Sequence, residues 1–274
     1  MPVFVLLARL LGPLLGTGLC LAAAVAVAQP RSAGPPAAGL IEDLVFANRV
    51  LVEFGVLDSF GHVSVRHDKD PGRYLMARSL APALVKGEDI LEFDLESAPV
   101  DAREIEARKW TLFLERFIHG EIYKARPDVK AVVHSHSPSV IPFGVSRTRL
   151  QAVYHMASFL GVDVPVFEIR DVAGPASDLL VRNAGLGTAL AQVLVDKPVV
   201  LMRGHGSVAV GASIPQVVFR AYYTEMNARL QSEAIRLGAV TYLTAEEAAA
   251  SARTNDGVLM RAWELWKHTV RNRQ

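Results

Sequence analysis

The spacing of apolar residues divides this chain into interleaved helices and short strands. Leu40, Leu44, Val45, Ala47, Leu51 and Val52 recur at helical intervals and predict a helix over 40–54. VSVR (63–66) and YLMA (74–77) predict strands separated by the turn-rich HDKDPG, and ILEFD (90–94) predicts a third. Residues 104–124 predict one helix that stops before Arg126-Pro127, because a residue preceding proline disfavours helical geometry. VKAVVH (129–134) reads as a strand, and a helix is expected to begin near Pro138. VPVFEI (164–169) and PVVLMR (198–203) predict further strands around a helix at about 177–195. Ser213, with Gln216 three residues on, starts a long helix, and Gly238 stops it. RAWELWKHTVRNRQ (261–274) predicts a packed terminal helix with Trp263 and Trp266 on its apolar side. Interleaved elements with short turns and no internal repeat imply a single α/β domain.

The first 28 residues change the picture of the 51% hydrophobic composition. A lone Arg9, an apolar run and Ala26-Val27-Ala28 before Gln29 have the layout of a secretory signal peptide with its cleavage site. An uncleaved anchor is the alternative, since residues 10–28 could just span a bilayer. The expected organisation is therefore 1–28 signal peptide, 29–39 flexible Pro/Gly/Ala-rich linker, and 40–274 folded domain, exported to a periplasm. Leu19 before Cys20 argues against lipidation. Cleavage removes Cys20, the one cysteine, so no disulfide can form. It also removes Arg9 from 29 basic residues, leaving 28 against 28 acidic ones. Balanced charge offers no electrostatic reason for nucleic acid or an anionic membrane as partner.

Candidate chemistry sits at the strand ends. In AVVHSH (131–136), strand alternation turns His134 and His136 to one face, where two imidazoles can share an ion or stand as solvated polar groups. PVVLMRGHGSVAVG (198–211) ends an apolar strand at a Gly-His-Gly corner that presents His205. Three histidines could supply three of four ligands and leave one position open. In the preceding helix, Glu115 and His119 lie one turn apart, and Glu121 is a second carboxylate. Spacing alone does not choose between the two glutamates.

Taken together, Glu115, His119, Tyr123, Arg126-Pro127-Asp128, Ala131 to His136 and the Gly-His-Gly with His205 resemble the class II aldolase/adducin family over residues 40–240. The resemblance implies an α/β fold with a central, mainly antiparallel sheet flanked by helices. It implies one divalent metal ion per subunit on His134, His136 and His205, with Glu115 as the carboxylate that ligates the metal or acts as base. Zinc is the first expectation, with manganese, iron or magnesium as alternatives. A homotetramer with active sites between subunits is implied as well.

The chain departs from the sugar-phosphate aldolases of that family. Their phosphate pattern resembles G-N-x-S, then T-G, then S-S before the carboxylate. Here the corresponding stretches are Gly61-His62-Val63-Ser64, Arg78-Ser79 and Phe113-Leu114. Phe and Leu donate no hydrogen bonds, which speaks against a phosphorylated substrate. Arg78 can instead pair with a substrate carboxylate, alongside His62, Ser64 and Ser79, or form an ordinary surface salt bridge. His155 in QAVYHMASF stands near the place where some family aldolases carry a proton-donating tyrosine that reaches the neighbouring subunit. Its reference pKa near 6.5 suits proton exchange near neutrality.

The expected function is a metal-dependent carbon–carbon lyase, a decarboxylase or retro-aldolase, acting on a non-phosphorylated oxo- or hydroxy-carboxylate. Glu115 and His155 are its expected proton-transfer groups. A metal-dependent epimerase, an iron-dependent oxygenase and a non-enzymatic adducin-like binding module are the alternatives.

Overall fold

The computed structural model describes residues 31–273; the expected signal peptide lies outside the described residues. Helix α1 (Ala38–Glu53) is followed by the strands β1 (His62–Arg66), β2 (Arg73–Ala77) and β3 (Ile90–Asp94). Helices α2 (Ala102–Ala107) and α3 (Arg116–Ala125) lead into β4 (Ala131–Ser135). Then come α4 (Ile141–Val145), β5 (Val166–Phe167), α5 (Arg170–Ala173) and α6 (Ala184–Leu194). The hairpin β6 (Val199–Met202) and β7 (Gly206–Gly211) precedes α7 (Ile214–Leu237), α8 (Ala245–Asp256) and α9 (Leu259–Arg271). Among the described residues, seven strands form one sheet in the order β3-β2-β1-β4-β7-β6-β5. Every pairing is antiparallel except β5 with β6 at one edge. This is the expected α/β domain with a mainly antiparallel sheet.

Strand alternation assigns the two faces. Val63, Val65, Ala131, Val133 and Ala209 point into a core shared with α1, α7 and α9, where Trp263 is 1% exposed. Tyr74, Met76, Val132, Val208 and Val210 point into a second core with Ile118 and Ile122 of α3 and Leu190 and Leu194 of α6. By the same parity His62, Ser64 and His134 lie on the α3/α6 face. His62 stands directly opposite His134 in the β1–β4 ladder.

Three expected elements differ. The helix expected over 104–124 is two helices, because Lys109 adopts φ 54° and residues 110–115 run without helical structure. That break puts Glu115 at the N-cap of α3, not in mid-helix. The helix expected at 177–195 begins only at Ala184, capped by the Asn183 side chain accepting from the Leu186 N–H. The Leu179 carbonyl accepts from His205 and the Val181 N–H donates to Glu115, so neither group is spent on a helix. The expected flexible linker is pinned over its described part. Ser32 and the Ala33 N–H donate to Glu92, the Ala37 N–H donates to Asp68, and the Gly34 carbonyl meets His67 Nε2. No described helix is long and apolar enough to cross a membrane.

The Gly-His-Gly corner has a steric cause at each glycine. Gly204 takes φ +67°, and a Cβ on Gly206 would stand 2.0 Å from the Ser135 carbonyl oxygen. The β6–β7 turn can close against β4 only without a side chain there. Gly206→Ala is therefore expected to lower stability by roughly 2–3 kcal/mol through forced backbone displacement. Gly39→Ala in α1, where a Cβ meets nothing within 4 Å, should leave the melting temperature unchanged or slightly raised, and thermal unfolding of both variants checks this.

Candidate metal centre

Three segments bring four ligand atoms together. His134 ends β4, His136 follows two residues later, His205 sits in the β6–β7 turn, and Glu115 caps α3. One ligand atom from each lies within 4.8 Å of every other. Glu115 Oε2 is 3.4 Å from both His134 Nε2 and His205 Nε2, and His136 Nε2 is 3.0 Å from His205 Nε2. Bonds of about 2.0–2.1 Å to a tetrahedral ion would separate ligand atoms by about 3.3–3.4 Å. The two edges from Glu115 match that spacing, and the His136–His205 edge is shorter.

Backbone carbonyls fix which nitrogens face inward. His134 Nδ1 donates to the Ser207 carbonyl at 3.1 Å, and His205 Nδ1 donates to the Leu179 carbonyl at 2.9 Å. Each imidazole is thereby left with a bare Nε2 on the cluster side, the arrangement that metal-ligating histidines use. His134 Nε2 is buried and has no hydrogen-bond partner among the described residues, which is costly unless another electron-pair acceptor takes it. Glu115 is anchored from behind, Oε1 accepting from the Val181 N–H at 2.9 Å. Burial opposes its charge, but His134 and His205 outweigh burial and hold the carboxyl well below its ordinary range. Burial, with His134 and His205 nearby, pushes His136 down to about 4. The donor set of three imidazoles and one carboxylate fits zinc, manganese or iron.

The other candidates fall into different places. Glu121 is drawn away to Lys124 and Thr188, 2.7 and 2.9 Å distant, and is not part of the cluster. His62 packs between the His134 and Phe113 rings, 5.1 and 4.6 Å away, with Nδ1 2.6 Å from His119 Nε2. Ser64, expected to bind substrate, is fully buried and engaged by His119 and Tyr123 at 2.5 and 2.8 Å. Arg78 donates through Nε to Asp89 at 2.7 Å and lies over the Trp110 ring. Its terminal amino groups make no hydrogen bond among the described residues. The Ser79 N–H donates to the Thr111 carbonyl. His155 is exposed at the start of a 3-10 turn (His155–Leu160), and its carbonyl accepts from Asn255. Phe60 and Leu114, 65% and 56% exposed, stand beside His136 and Glu115 and give the rim apolar side chains.

The sequence did not point to Leu179 and Val181, whose backbone groups orient His205 and Glu115. No side-chain pattern marks such a role. Nor did it single out Glu225 of α7, whose carboxylate accepts from the Ser139 N–H at 3.1 Å and so ties down the segment after His136. One of two acidic residues inside an otherwise ordinary helix was the available signal.

The family model for the class II aldolase and adducin N-terminal domain matches residues 42–232. The chain belongs to the class II aldolase and adducin family. It is 34% identical over 257 residues to decarboxylase tropJ of Talaromyces stipitatus, covering 86% of this chain and 95% of that one. It is 30% identical to 3,4-dihydroxyphthalate decarboxylase of Arthrobacter keyseri, covering 73% of this chain and 81% of that one. An L-fuculose 1-phosphate aldolase structure from Glaciozyma antarctica superposes with a TM-score of 0.70 at 22% identity, over 88% of this chain and 95% of that one. The last likeness is one of fold. Relatives and fold together support lyase chemistry.

Two outcomes follow from this geometry. Elemental analysis of chain purified without chelator or nickel resin should find about one divalent ion per chain. His134→Ala should lose it, and His155→Phe should retain it. A Glu225→Gln variant should be more stable than the parent at pH 7. Burial raises the Glu225 pKa against the opposing hydrogen bond from Ser139, so its ionised form costs stability. As pH falls through the raised folded value toward the unfolded value of 4.5, the parent protonates and the advantage should vanish. Thermal unfolding across pH 4–8 reads both arms.

Proposed function

We propose that this protein is a metal-dependent decarboxylase of a non-phosphorylated hydroxy- or oxo-carboxylate, with an aromatic hydroxy acid as the favoured substrate class. The observation that carries this reading is the convergence of His134, His136, His205 and Glu115 beside apolar side chains where phosphate donors would otherwise stand. Phe113 and Leu114 precede Glu115, and neither can hydrogen-bond a phosphate. The relatives named as decarboxylases support the same choice over retro-aldol cleavage.

A divalent ion held by the three imidazoles supplies Lewis acidity toward a substrate oxygen conjugated with the bond to be broken. The protein's own groups do the rest. Glu115, held ionised, takes the proton of the substrate hydroxyl that approaches the histidines. The free amino groups of Arg78 pair with the substrate carboxylate or with a second acid group beside it. Phe113, Phe60 and Leu114 cover the apolar body of the substrate and exclude water, which strengthens the charge interactions within. The ring carbon that bears the carboxylate takes a proton, from Glu115 or from the opposite side, as the phenolate oxygen becomes a carbonyl. The carbon–carbon bond to the carboxylate then breaks, carbon dioxide leaves, and its electron pair passes into that carbonyl and restores the aromatic ring.

His155 is exposed and lies outside the cluster of its own chain, so its proton-transfer role belongs to an assembly in which it reaches a neighbouring site. A homotetramer with sites between subunits is part of this proposal. So are zinc as the resident ion and export to the periplasm by the leader ending at Ala28.

Release of carbon dioxide from 3,4-dihydroxyphthalate and a panel of hydroxylated aromatic acids by zinc-loaded chain tests the reading. Turnover of at least one of them is expected, with none of a sugar phosphate. Glu115→Gln should lower kcat by about 10²-fold or more, the usual scale for a proton-transfer group. His155→Phe should also lower turnover while keeping the metal. Cleavage of a sugar phosphate with no decarboxylation would replace the proposal with an aldolase. Oxygen consumption by iron-loaded chain would replace it with an oxygenase.

A further inference from the structure

Behind the histidine cluster runs a chain of buried polar side chains that the mechanism above does not use. Tyr123 of α3, Ser64 of β1, His119 of α3 and His62 of β1 are each 3% exposed or less. Their contacts form a single line: Tyr123 Oη to Ser64 Oγ at 2.8 Å, Ser64 Oγ to His119 Nδ1 at 2.5 Å, and His119 Nε2 to His62 Nδ1 at 2.6 Å. The line stops at His62, whose Nε2 has no partner among the described residues. Its ring lies opposite His134 in the ladder and against Phe113.

Each contact holds one hydrogen, and the arrangement can be satisfied in only one direction. Among the described residues, the Tyr123 hydroxyl has Ser64 Oγ as its sole partner. Arg66, which lies over the Tyr123 ring, gives its hydrogens to the carbonyls of Val129, Pro71, Tyr123 and Arg126. If Ser64 donated to Tyr123, the phenolic hydrogen would be buried without an acceptor, at a cost of about 1–3 kcal/mol. Tyr123 therefore donates to Ser64. The Ser64 hydrogen must then go to His119 Nδ1, since no other acceptor is in reach. Burial, with His134 nearby, lowers the His119 pKa to about 3, so the ring is neutral and carries its one hydrogen on Nε2. That hydrogen goes to His62 Nδ1.

We infer that the buried line Tyr123–Ser64–His119 fixes His62 as the Nε2–H tautomer, a neutral hydrogen-bond donor presented to a substrate oxygen beside the metal centre. Tyr123, Ser64 and His119 are positioning residues, and His62 is the group that touches substrate. This rests on the reading of the cluster as the reactive site and adds what His62 recognises: a carboxylate or phenolate oxygen, not a cation or a hydrogen-bond donor. In this tautomer His62 has no free nitrogen lone pair, so it is neither a fourth imidazole on the ion nor a general base. Taking up either role would require every hydrogen in the line to reverse, leaving that of Tyr123 orphaned.

Nitrogen-15 labelling of the histidines in the full zinc-loaded chain tests this directly. A scalar coupling across the N–H···N contact identifies the His62–His119 pair without any variant, because its donor and acceptor are an Nε2 and an Nδ1 of different rings. The expected result is a hydrogen on Nε2 of both rings, with His119 the donor. A hydrogen on His62 Nδ1, donated to His119 Nε2, would overturn the inference whatever substrate is turned over. For the contact itself, His62→Phe should raise KM at least roughly tenfold on the substrate that the decarboxylation assay identifies, the scale of one hydrogen bond to a charged oxygen. His62→Gln, which keeps an N–H, should recover most of that loss with metal content unchanged. Equal KM in His62→Phe and parent would remove the contact. Lack of turnover of 3,4-dihydroxyphthalate would count against that substrate class alone, since the tautomer is read without substrate.

Discussion

A buried imidazole nitrogen without a hydrogen-bond partner is the constraint around which this structure is arranged. His134 Nε2 lies in the interior at the end of the central strand, and the Ser207 carbonyl has already taken the other nitrogen's hydrogen. Such an atom is expensive unless something outside the protein's own hydrogen-bond inventory completes it. Glu115, His136 and His205 converge on the same point from segments far apart in the chain. Groups that could not be brought so close for stability alone are held there by backbone contacts from Leu179, Val181 and Ser207.

Packing on both faces of the sheet makes that convergence rigid. One core, with α1, α7 and α9, anchors the terminal helix through Trp263 and Trp266. The α3/α6 face is apolar at its middle but carries the line from Tyr123 to His62 toward the cluster. A buried polar line of this kind, satisfied as far as His62 Nδ1, adds orientation more than stability, since each bond replaces one that water would have made. His62 and Ser64 of that line belong to the stretch that resembles the phosphate pattern of the family's sugar-phosphate aldolases. The consequence is a drier, more apolar pocket, which agrees with Phe113 packed on His62 and Leu114 at the rim. The same residues that argue against phosphate thus argue for a planar, weakly hydrated substrate.

Much of the fold could be read before the structure was known. Helix α7 carries its Ser213 cap and Gly238 stop as the sequence announced, because capping is local chemistry between residues three apart. The core strands were legible from their apolar runs. Helix α8 was not anticipated, although Thr244 and Glu247 form a capping box that a closer reading of the same kind would have found. The split of the 104–124 helix could not have been found that way. Nothing in its helix-compatible composition reveals that Lys109 turns left-handed so that Glu115 can meet His134.

Residue types and spacing by themselves determined the α/β class and the strand ends that bear His134, His136 and His205; the loss of phosphate donors before Glu115 came from the resemblance to the family. These properties are periodic or local, and periodicity survives in one dimension. Spacing left Glu115 and Glu121 open and the resemblance pointed to Glu115; the tertiary structure brings Glu115 to the histidines, and it alone showed that Ser64 faces His119 and Tyr123 inside the protein. It alone showed that His62 ends a directed line of hydrogen bonds. Those outcomes depend on which buried donors find acceptors across the sheet, and that pairing is settled by contacts between residues tens of positions apart.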